Sequence, residues 1–181
     1  DSKFEKITLP FVMGGLEEFN PETVSSWLEK ENDDIVASEK LDGNSIGCSF
    51  EHASLSFAAS RGNGIEGQNL LTKIKYSMPP MYLRFKHLPK VSLRGEVLLK
   101  GELFKEFGLK NRRNSVTGIL RRDEIDPKVL SKFSIIFYEL IEAPSEFKTE
   151  VERLEFIKEL GFEVARFMVI PKDLPTDAKI Q

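Results

Sequence analysis

The stretch from Ser38 to Ala59, SEKLDGNSIGCSFEHASLSFAA, decides the fold of this chain. Apolar residues alternate with small or polar ones over Ser45–Glu51 and again over Ser54–Ala59, which is the period of a sheet with one buried face. Only the pair His52-Ala53 connects the two runs, so we expect an antiparallel hairpin.

The same patterns continue on both sides of this hairpin. Upstream, Asn20 before Pro21 predicts a capped helix to about Lys30, followed by a strand at Ile35–Ala37. Downstream, we predict strands at Val91–Leu99, Phe133–Ile141 and Phe162–Ile170, a short helix at Glu102–Phe107, and a helix capped by Thr149 and Glu152 that ends at Gly161. This order indicates an α+β fold with mostly antiparallel sheets and flanking helices.

Composition restricts the function classes. With 181 residues, 40% of them apolar, the chain fits one globular domain over residues 1–181. No apolar run approaches the roughly 20 residues of a membrane span, and we find no signal peptide, so we expect a soluble protein with no membrane partner. The single cysteine, Cys48, excludes an internal disulfide and is predicted to be a core residue, and no Cys/His cluster has zinc-ligand spacing. The net charge of -3 argues against a protein that simply coats nucleic acid. From Lys105 to Lys132, however, basic residues outnumber acidic ones.

The lysine in this opening stretch, Lys40, raises a chemical question. A lysine that attacks phosphorus must first lose its proton, through burial or a neighbouring cation, and a strand end in a cleft provides both. The following Asp42-Gly43 predicts a tight turn that lets the backbone approach a nucleotide, since glycine has no Cβ. The plainer alternative is a surface lysine beside a turn, and this short motif alone does not decide between them.

Three further motifs accompany Lys40-Leu41-Asp42-Gly43. They are Arg61-Gly62-Asn63-Gly64, Arg94-Gly95-Glu96-Val97, and the block from Asn111 to Arg121, NRRNSVTGILR. In this order and spacing the chain resembles, from about Pro10 to about Pro171, the adenylation domain of NAD-dependent DNA ligases. That family carries Lys-Leu-Asp-Gly, Thr-Arg-Gly-Asp-Gly, Arg-Gly-Glu-Val and Asn-Pro-Arg-Asn-Ala-Ala-Ala-Gly-Ser-Leu-Arg, and the last motif is the most specific.

The resemblance implies a nucleotidyltransferase fold, described as ATP-grasp-like, and a lysyl-AMP intermediate on Lys40. It implies cofactor contacts from Leu16, Leu41, Arg61 and Glu96. NAD would be the nucleotide donor, with Mg²⁺ to neutralise the phosphates and no metal ligands required from the protein. The AMP would pass to the 5′-phosphate of nicked double-stranded DNA, in the cytoplasm of a bacterial or virus-infected cell.

The resemblance also predicts which side chains meet DNA. Arg113 and Arg121 match family arginines that approach the nucleotide phosphate or the nicked strand. With Arg112 and Arg122 beside them, and Gly118 between, they form a predicted basic loop. We expect Asp42 to face nucleic acid as well. Such a loop suits backbone phosphates rather than base edges. The alternative for every one of these charges is ordinary solvated surface.

The chain departs from the family pattern at several positions, which indicates a divergent member. Ser38 stands where the family has glutamate, and Glu39, directly before Lys40, would contact the adenine only after a local adjustment of the strand. Asn63 replaces an aspartate, and Arg112 replaces a proline. The N-terminal nicotinamide-binding module, the later lysine motifs and the OB-fold have no counterpart here. We therefore expect another segment or a second polypeptide to complete the site.

Three hypotheses follow. The first is the adenylation domain of an NAD-dependent DNA ligase. The second is an ATP-dependent RNA or DNA ligase, which the Glu39-Lys40 pair favours because it resembles some phage RNA ligases. The third is a non-catalytic nucleic-acid-binding subunit with the same fold, which would bind without forming covalent AMP.

Overall fold

The computed structural model describes residues 5–15, 20–78, 85–99, 112–124 and 126–175. These residues form two compact units. The first unit holds the described residues up to Met13 and from Leu41 to Ala165, and the second holds those from Gly14 to Lys40 and from Arg166 onward. The predicted helix at Glu102–Phe107 lies outside the described residues.

A five-stranded sheet forms the centre of the first unit, with strand order β4-β3-β6-β7-β8. The strands are β3 (Asn44–Glu51), β4 (Ser54–Ser60), β6 (Lys90–Leu99), β7 (Phe133–Glu142) and β8 (Glu163–Val164). All neighbours pair antiparallel except β7 and β8, which are parallel. The predicted hairpin is confirmed, and its two-residue turn has φ values of 47° at His52 and 63° at Ala53, as this turn type requires.

Short elements and helices complete the first unit. A two-stranded sheet pairs β1 (Lys6–Thr8) with β5 (Glu66–Gln68). The helices are α2 (Leu71–Ile74), α3 (Arg112–Leu120), α4 (Pro127–Leu130) and α5 (Glu150–Glu159). Helix α5 begins with the predicted capping box of Thr149 and Glu152 and is followed by Gly161 at φ 89°. The α+β fold with mostly antiparallel sheets is confirmed.

The second unit consists of one helix and one two-stranded sheet. Helix α1 (Pro21–Leu28) begins at Asn20, whose side chain accepts a hydrogen bond from the Thr23 N–H, as the N-cap prediction requires. Strand β2 (Ile35–Ser38) pairs antiparallel with β9 (Phe167–Ile170). None of the helices among the residues described here has the length and apolar character needed to cross a membrane.

Two structural predictions are wrong. The strand predicted at Phe162–Ile170 is two short strands, because β8 pairs with β7 in the first unit while β9 pairs with β2 in the second. Between them, the buried Ala165 donates its N–H to the carbonyl of Phe137. An apolar run read alone cannot reveal such a change of partner, since both halves have the same residue types.

The second error is the basic loop, most of which is helix α3. Val116, Ile119 and Leu120 are buried against the sheet, and their spacing places them on one helical face. The charged residues at both ends of this nine-residue helix concealed its short apolar stripe. The arginines therefore project from a regular element that packs on β6 and β3.

Candidate functional site

Two of the predicted motifs meet in the first unit, where Gly43 approaches Glu96. The N–H of Gly43 donates to Oε1 of Glu96 at 3.2 Å. A Cβ on Gly43 would collide with the carbonyl oxygen of Val97. The close approach of this turn to β6 therefore requires a glycine at position 43, in addition to the approach to a nucleotide that the motif predicts.

The position of Glu96 makes its carboxylate unusual. Strand β6 lies between β3 and β7, so Glu96 is half-buried inside the sheet rather than on an edge strand. Burial raises the pKa of Glu96 to about 7. The hydrogen bond from Gly43 and the positive charges of Arg113 and Arg94 oppose this rise in pKa, while Asp42 adds to it. A carboxylate with this pKa changes charge near neutral pH.

Tyr138, which belongs to none of the predicted motifs, lies beside this carboxylate. The Tyr138 hydroxyl is 3.2 Å from the Ser45 hydroxyl, and the Arg94 guanidinium lies 5.7 Å from the centre of the Tyr138 ring. Burial raises the pKa of Tyr138, and the charge of Glu96 contributes to that rise. Arg94 also forms an ion pair with Glu139 at 3.3 Å. Nothing in the sequence distinguishes Tyr138 from other aromatic residues of an apolar strand.

The loop of Arg61 is anchored to the same end of β3. Its backbone N–H donates to the carbonyl of Ser45 at 3.1 Å, while its side chain is exposed. Gly62 and Gly64 adopt positive φ values of 53° and 95°, which glycine reaches at the least steric cost, and a Cβ on Gly62 would collide with the carbonyl oxygen of Glu66. The Asn63 side chain accepts hydrogen bonds from the N–H groups of Ile65 and Glu66. A family aspartate could accept the same two bonds, so this replacement preserves the loop.

Helix α3 presents two predicted arginines on one line. Arg113, Thr117 and Arg121 are four residues apart, so they follow one side of the helix and its end, and both arginines are exposed. Thr117 and Arg121 line a cleft of about 350 Å³, together with Gly62 and Asn63 of the Arg61 loop. The structure therefore brings the Arg61 motif and Arg121 to one surface. Arg112 begins α3, and its side chain is not described.

In the second unit, Glu39 and Lys40 follow directly after β2. The Glu39 carboxylate accepts hydrogen bonds from the Arg166 backbone N–H and from its guanidinium, at 2.8–3.0 Å. The hydrogen bonds from Arg166 hold the pKa of Glu39 below its usual value. Lys40 is exposed and is the last residue of this unit before Leu41 begins the first unit again.

The remaining predicted positions differ in what can be described. Leu41 is half-buried and Asp42 is exposed, whereas Leu16 lies outside the described residues. Among the residues that the structure describes, no three His, Cys, Asp or Glu side chains form a group that could hold a metal ion. Cys48 is a buried core residue, as predicted, and burial raises its pKa well above its ordinary value.

Comparison with solved structures defines the class of fold. The chain aligns over 98% of its length with 49% of a mutant RNA ligase from Naegleria gruberi in the apo form, with a TM-score of 0.55 and 10% identity. A different mutant of the Naegleria gruberi RNA ligase, with ATP and Mn, aligns with a TM-score of 0.51 and 14% identity, over 98% of this chain and 50% of the other. The fold is therefore that of the nucleotidyltransferase ligases.

Sequence comparison assigns the family. Residues 2–175 match the family model described as the NAD-dependent DNA ligase adenylation domain. A DNA ligase of Acetivibrio thermocellus is 34% identical over 163 residues, and one of Prochlorococcus marinus is 31% identical over 154 residues. These alignments cover 81% and 72% of this chain but only 24% and 22% of the two ligases. The chain belongs to the NAD-dependent DNA ligase adenylation domain family, as its motifs predict, and spans about a quarter of the length of these relatives.

Proposed function

We propose that this chain carries the adenylation site of a DNA ligase and forms a lysyl-AMP intermediate on Lys40. The Lys40 amine, once deprotonated, attacks the α-phosphorus of NAD, so that a nitrogen–phosphorus bond forms and the bond to the oxygen of nicotinamide mononucleotide breaks. The 5′-phosphate at a nick then takes the AMP and releases the lysine. Because the chain spans only a quarter of its relatives' length, the sealing step is proposed for the whole ligase.

The observation that carries this proposal is the hydrogen bond between Gly43 and Glu96. It joins the lysine motif to the Arg-Gly-Glu motif, 53 residues apart, on an interior strand. The half-buried carboxylate is suited to accept hydrogen bonds from ribose hydroxyls, because in its ionised form it offers only acceptor oxygens. Arg61 would contact the ribose or the phosphate of the nucleotide, and Leu41 its base or sugar.

The position of Glu39 bears on the adenine contact. Its carboxylate already receives three hydrogen bonds from Arg166. We therefore assign Glu39 mainly to fixing the backbone before Lys40, and its contact with adenine stays a prediction. Leu16, outside the described residues, keeps its proposed place near the adenine by family resemblance alone.

The family implies NAD as nucleotide donor, and phosphoryl transfer implies Mg²⁺. Phosphates usually supply most ligands of a catalytic magnesium, so the proposal requires no metal cage built from protein side chains alone. The ion would neutralise charge on the phosphates as the α-phosphorus is attacked. No residue of this chain is assigned to it.

Nicked double-stranded DNA is the proposed partner, engaged by the arginines of α3. Arg113 and Arg121 are exposed on one line of that helix, with Arg112 beside them in sequence, and Arg121 lines the cleft next to the Arg61 loop. Guanidinium groups form strong, often bidentate hydrogen bonds with phosphate oxygens, so exposed arginines on one side of a helix suit a nucleic-acid backbone. Asp42 is exposed and is proposed to face the DNA as well. A further segment or a second polypeptide is proposed to close the nucleotide site.

Intact-mass spectrometry tests the proposal. The chain is incubated with Mg²⁺ and either NAD or ATP, and each sample is compared with an untreated one. We expect one added AMP from NAD, mapped by fragmentation to Lys40 and absent from Lys40→Ala. The matched control is Lys30→Ala, which removes another exposed lysine of the second unit and should still accept AMP.

The other outcomes separate the alternatives. An adduct formed from ATP alone would favour the ATP-dependent ligases, and an adduct on a lysine other than Lys40 would contradict the site assignment. If no adduct forms even when the N-terminal module and the later lysine motifs of the family are supplied by fusion, the nucleic-acid-binding subunit becomes the better account.

A further inference from the structure

A buried lysine outside every predicted motif contacts the end of helix α3. Lys73, in α2, is only 8% exposed. Its Nζ donates to the carbonyl oxygens of Leu120 at 2.6 Å and of Arg122 at 2.5 Å. A buried ammonium group is costly unless it is hydrogen-bonded, so this lysine occupies a defined position.

One of the two carbonyls belongs to Leu120, the last residue of the helix, and the other to Arg122, two residues beyond it. The last carbonyls of a helix have no partner within the helix, and a cation there also interacts favourably with the helix dipole. The Gln68 side chain, from β5, adds a third hydrogen bond by donating Nε2 to the Leu120 carbonyl at 3.0 Å. Burial lowers the pKa of Lys73, and the charge of Asp123 opposes this decrease.

The residue between the two bound carbonyls is Arg121. Its own N–H donates to the carbonyl of Thr117 at 3.0 Å, so its backbone is fixed from both sides while its side chain is exposed to the cleft. Lys73 and Gln68 lie within 12 residues after Arg61 in the chain. The segment that carries Arg61 therefore also holds the backbone of Arg121.

We infer that Lys73 is a positioning residue that aims Arg121 at a DNA phosphate, an inference that rests on the proposed function. Lys73 does not touch DNA, because it is buried and its ammonium is bound to carbonyl oxygens. It acts by fixing the end of α3 from which the Arg121 side chain extends. If Lys73 served stability alone, the phosphate contact of Arg121 would remain intact in any folded variant of Lys73.

The test measures binding of the 181-residue chain to a fluorescent nicked duplex with a 5′-phosphate, by anisotropy over a series of salt concentrations. Loss of one phosphate contact reduces the slope of log affinity against log salt by about 1. We expect Arg121→Ala and Lys73→Met each to show this loss, and the double variant to lose no more than Arg121→Ala alone. Lys75→Met is the matched control, because Lys75 is exposed at the end of the same helix.

A second control separates positioning from simple loss of stability. Leu154→Ala removes a buried side chain of α5 and should lower the melting temperature without changing the salt slope. Amide exchange should increase in Lys73→Met at residues 120–122 while the central sheet stays protected.

Each result decides the inference. A folded Lys73→Met variant with the wild-type salt slope would overturn it, as would additive losses in the double variant. A wild-type chain that shows no salt-dependent binding to the nicked duplex would contradict the proposed DNA contact itself, and the inference with it. Salt-dependent binding by the wild type, together with an unchanged slope in Lys73→Met, would overturn the inference alone.

Discussion

Two glutamates predicted to contact the same cofactor, Glu96 and Glu39, differ in their surroundings. Glu96 lies half-buried on an interior strand and accepts one described hydrogen bond, from Gly43. Glu39 accepts three hydrogen bonds from Arg166, whose side chain is 89% exposed. Burial raises the pKa of Glu96, whereas the hydrogen bonds from Arg166 lower that of Glu39.

This difference shows how the same residue type serves two purposes. The Glu39 carboxylate has its hydrogen bonds satisfied within the protein. Because Glu39 directly follows β2 and Arg166 directly precedes β9, their pair holds these ends of the two strands together. Glu96 carries an incompletely compensated carboxylate, and that is costly for folding alone. Groups with pKa values perturbed by burial are concentrated at functional sites, which favours Glu96 as the ligand-binding member of the pair.

The largest expected effect comes from closing the gap at Gly43. Gly43→Ala places a Cβ against the carbonyl oxygen of Val97 and the side chains of Leu98 and Glu96, and backbone atoms cannot easily move away. We expect a loss of about 3 kcal/mol in unfolding free energy, measured by urea denaturation. The control is Gly118→Ala in α3, where a Cβ meets no atom within 4 Å. That variant should be as stable as the wild type or more so, and equal stability of the two variants would contradict the packing at Gly43.

An intermediate effect is expected from the titration of Glu96. Its folded pKa of about 7 lies above its ordinary value of 4.5, so its contribution to stability is complete below pH 4.5 and is lost as the pH rises through 7. Glu96→Gln cannot ionise and should remove this dependence. Because Glu96 is only half-buried, solvent screening reduces the full effect of the shift, and we expect the variant to be more stable than the wild type above pH 7 by about 2 kcal/mol. Urea unfolding from pH 4 to pH 8.5 measures it. Parallel pH profiles for the two proteins would contradict the buried carboxylate.

The smallest effect is expected at Glu39, with the opposite sign. Its folded pKa lies below 4.5, so the pair with Arg166 contributes stability above that pH, and the contribution is lost as the pH falls through the folded pKa. Arg166→Ala should therefore lower the urea midpoint at pH 7 and not at pH 2. The decrease at pH 7 should be small, because exposed ion pairs are weak. Lys30→Ala serves as the control. A larger effect than that of Glu96→Gln would reverse the comparison of the two glutamates.

Local patterns predicted much of the fold. The alternation in β3 and β4, the Asn20 cap and the Thr149–Glu152 capping box are all short-range signals, and the structure confirms each. The change of sheet between β8 and β9 depends on the pairing of β9 with β2. These two strands are more than 100 residues apart, so no local window of sequence contains both. Helix α3 was missed because its apolar stripe is short and its ends are basic.

The site was predictable only where a motif marks it. Gly43 and Glu96 belong to separate motifs, and their contact follows from the register of β3 with β6. Tyr138 and Lys73 have no motif, because their roles depend on what lies next to them across the fold. The Arg166 partner of Glu39 lies 127 residues away, so the sequence could not indicate that this carboxylate is already bound.

The most direct test of the central claim, that Glu96 belongs to the nucleotide site, is the affinity for AMP of the wild type, Glu96→Gln and Glu39→Gln. Isothermal titration at pH 8, where Glu96 is ionised, provides it. The account predicts that Glu96→Gln binds AMP about tenfold more weakly or worse, because hydrogen bonds to a carboxylate are lost, while Glu39→Gln changes little. Unchanged AMP affinity in Glu96→Gln, with weakened binding in Glu39→Gln, would contradict it.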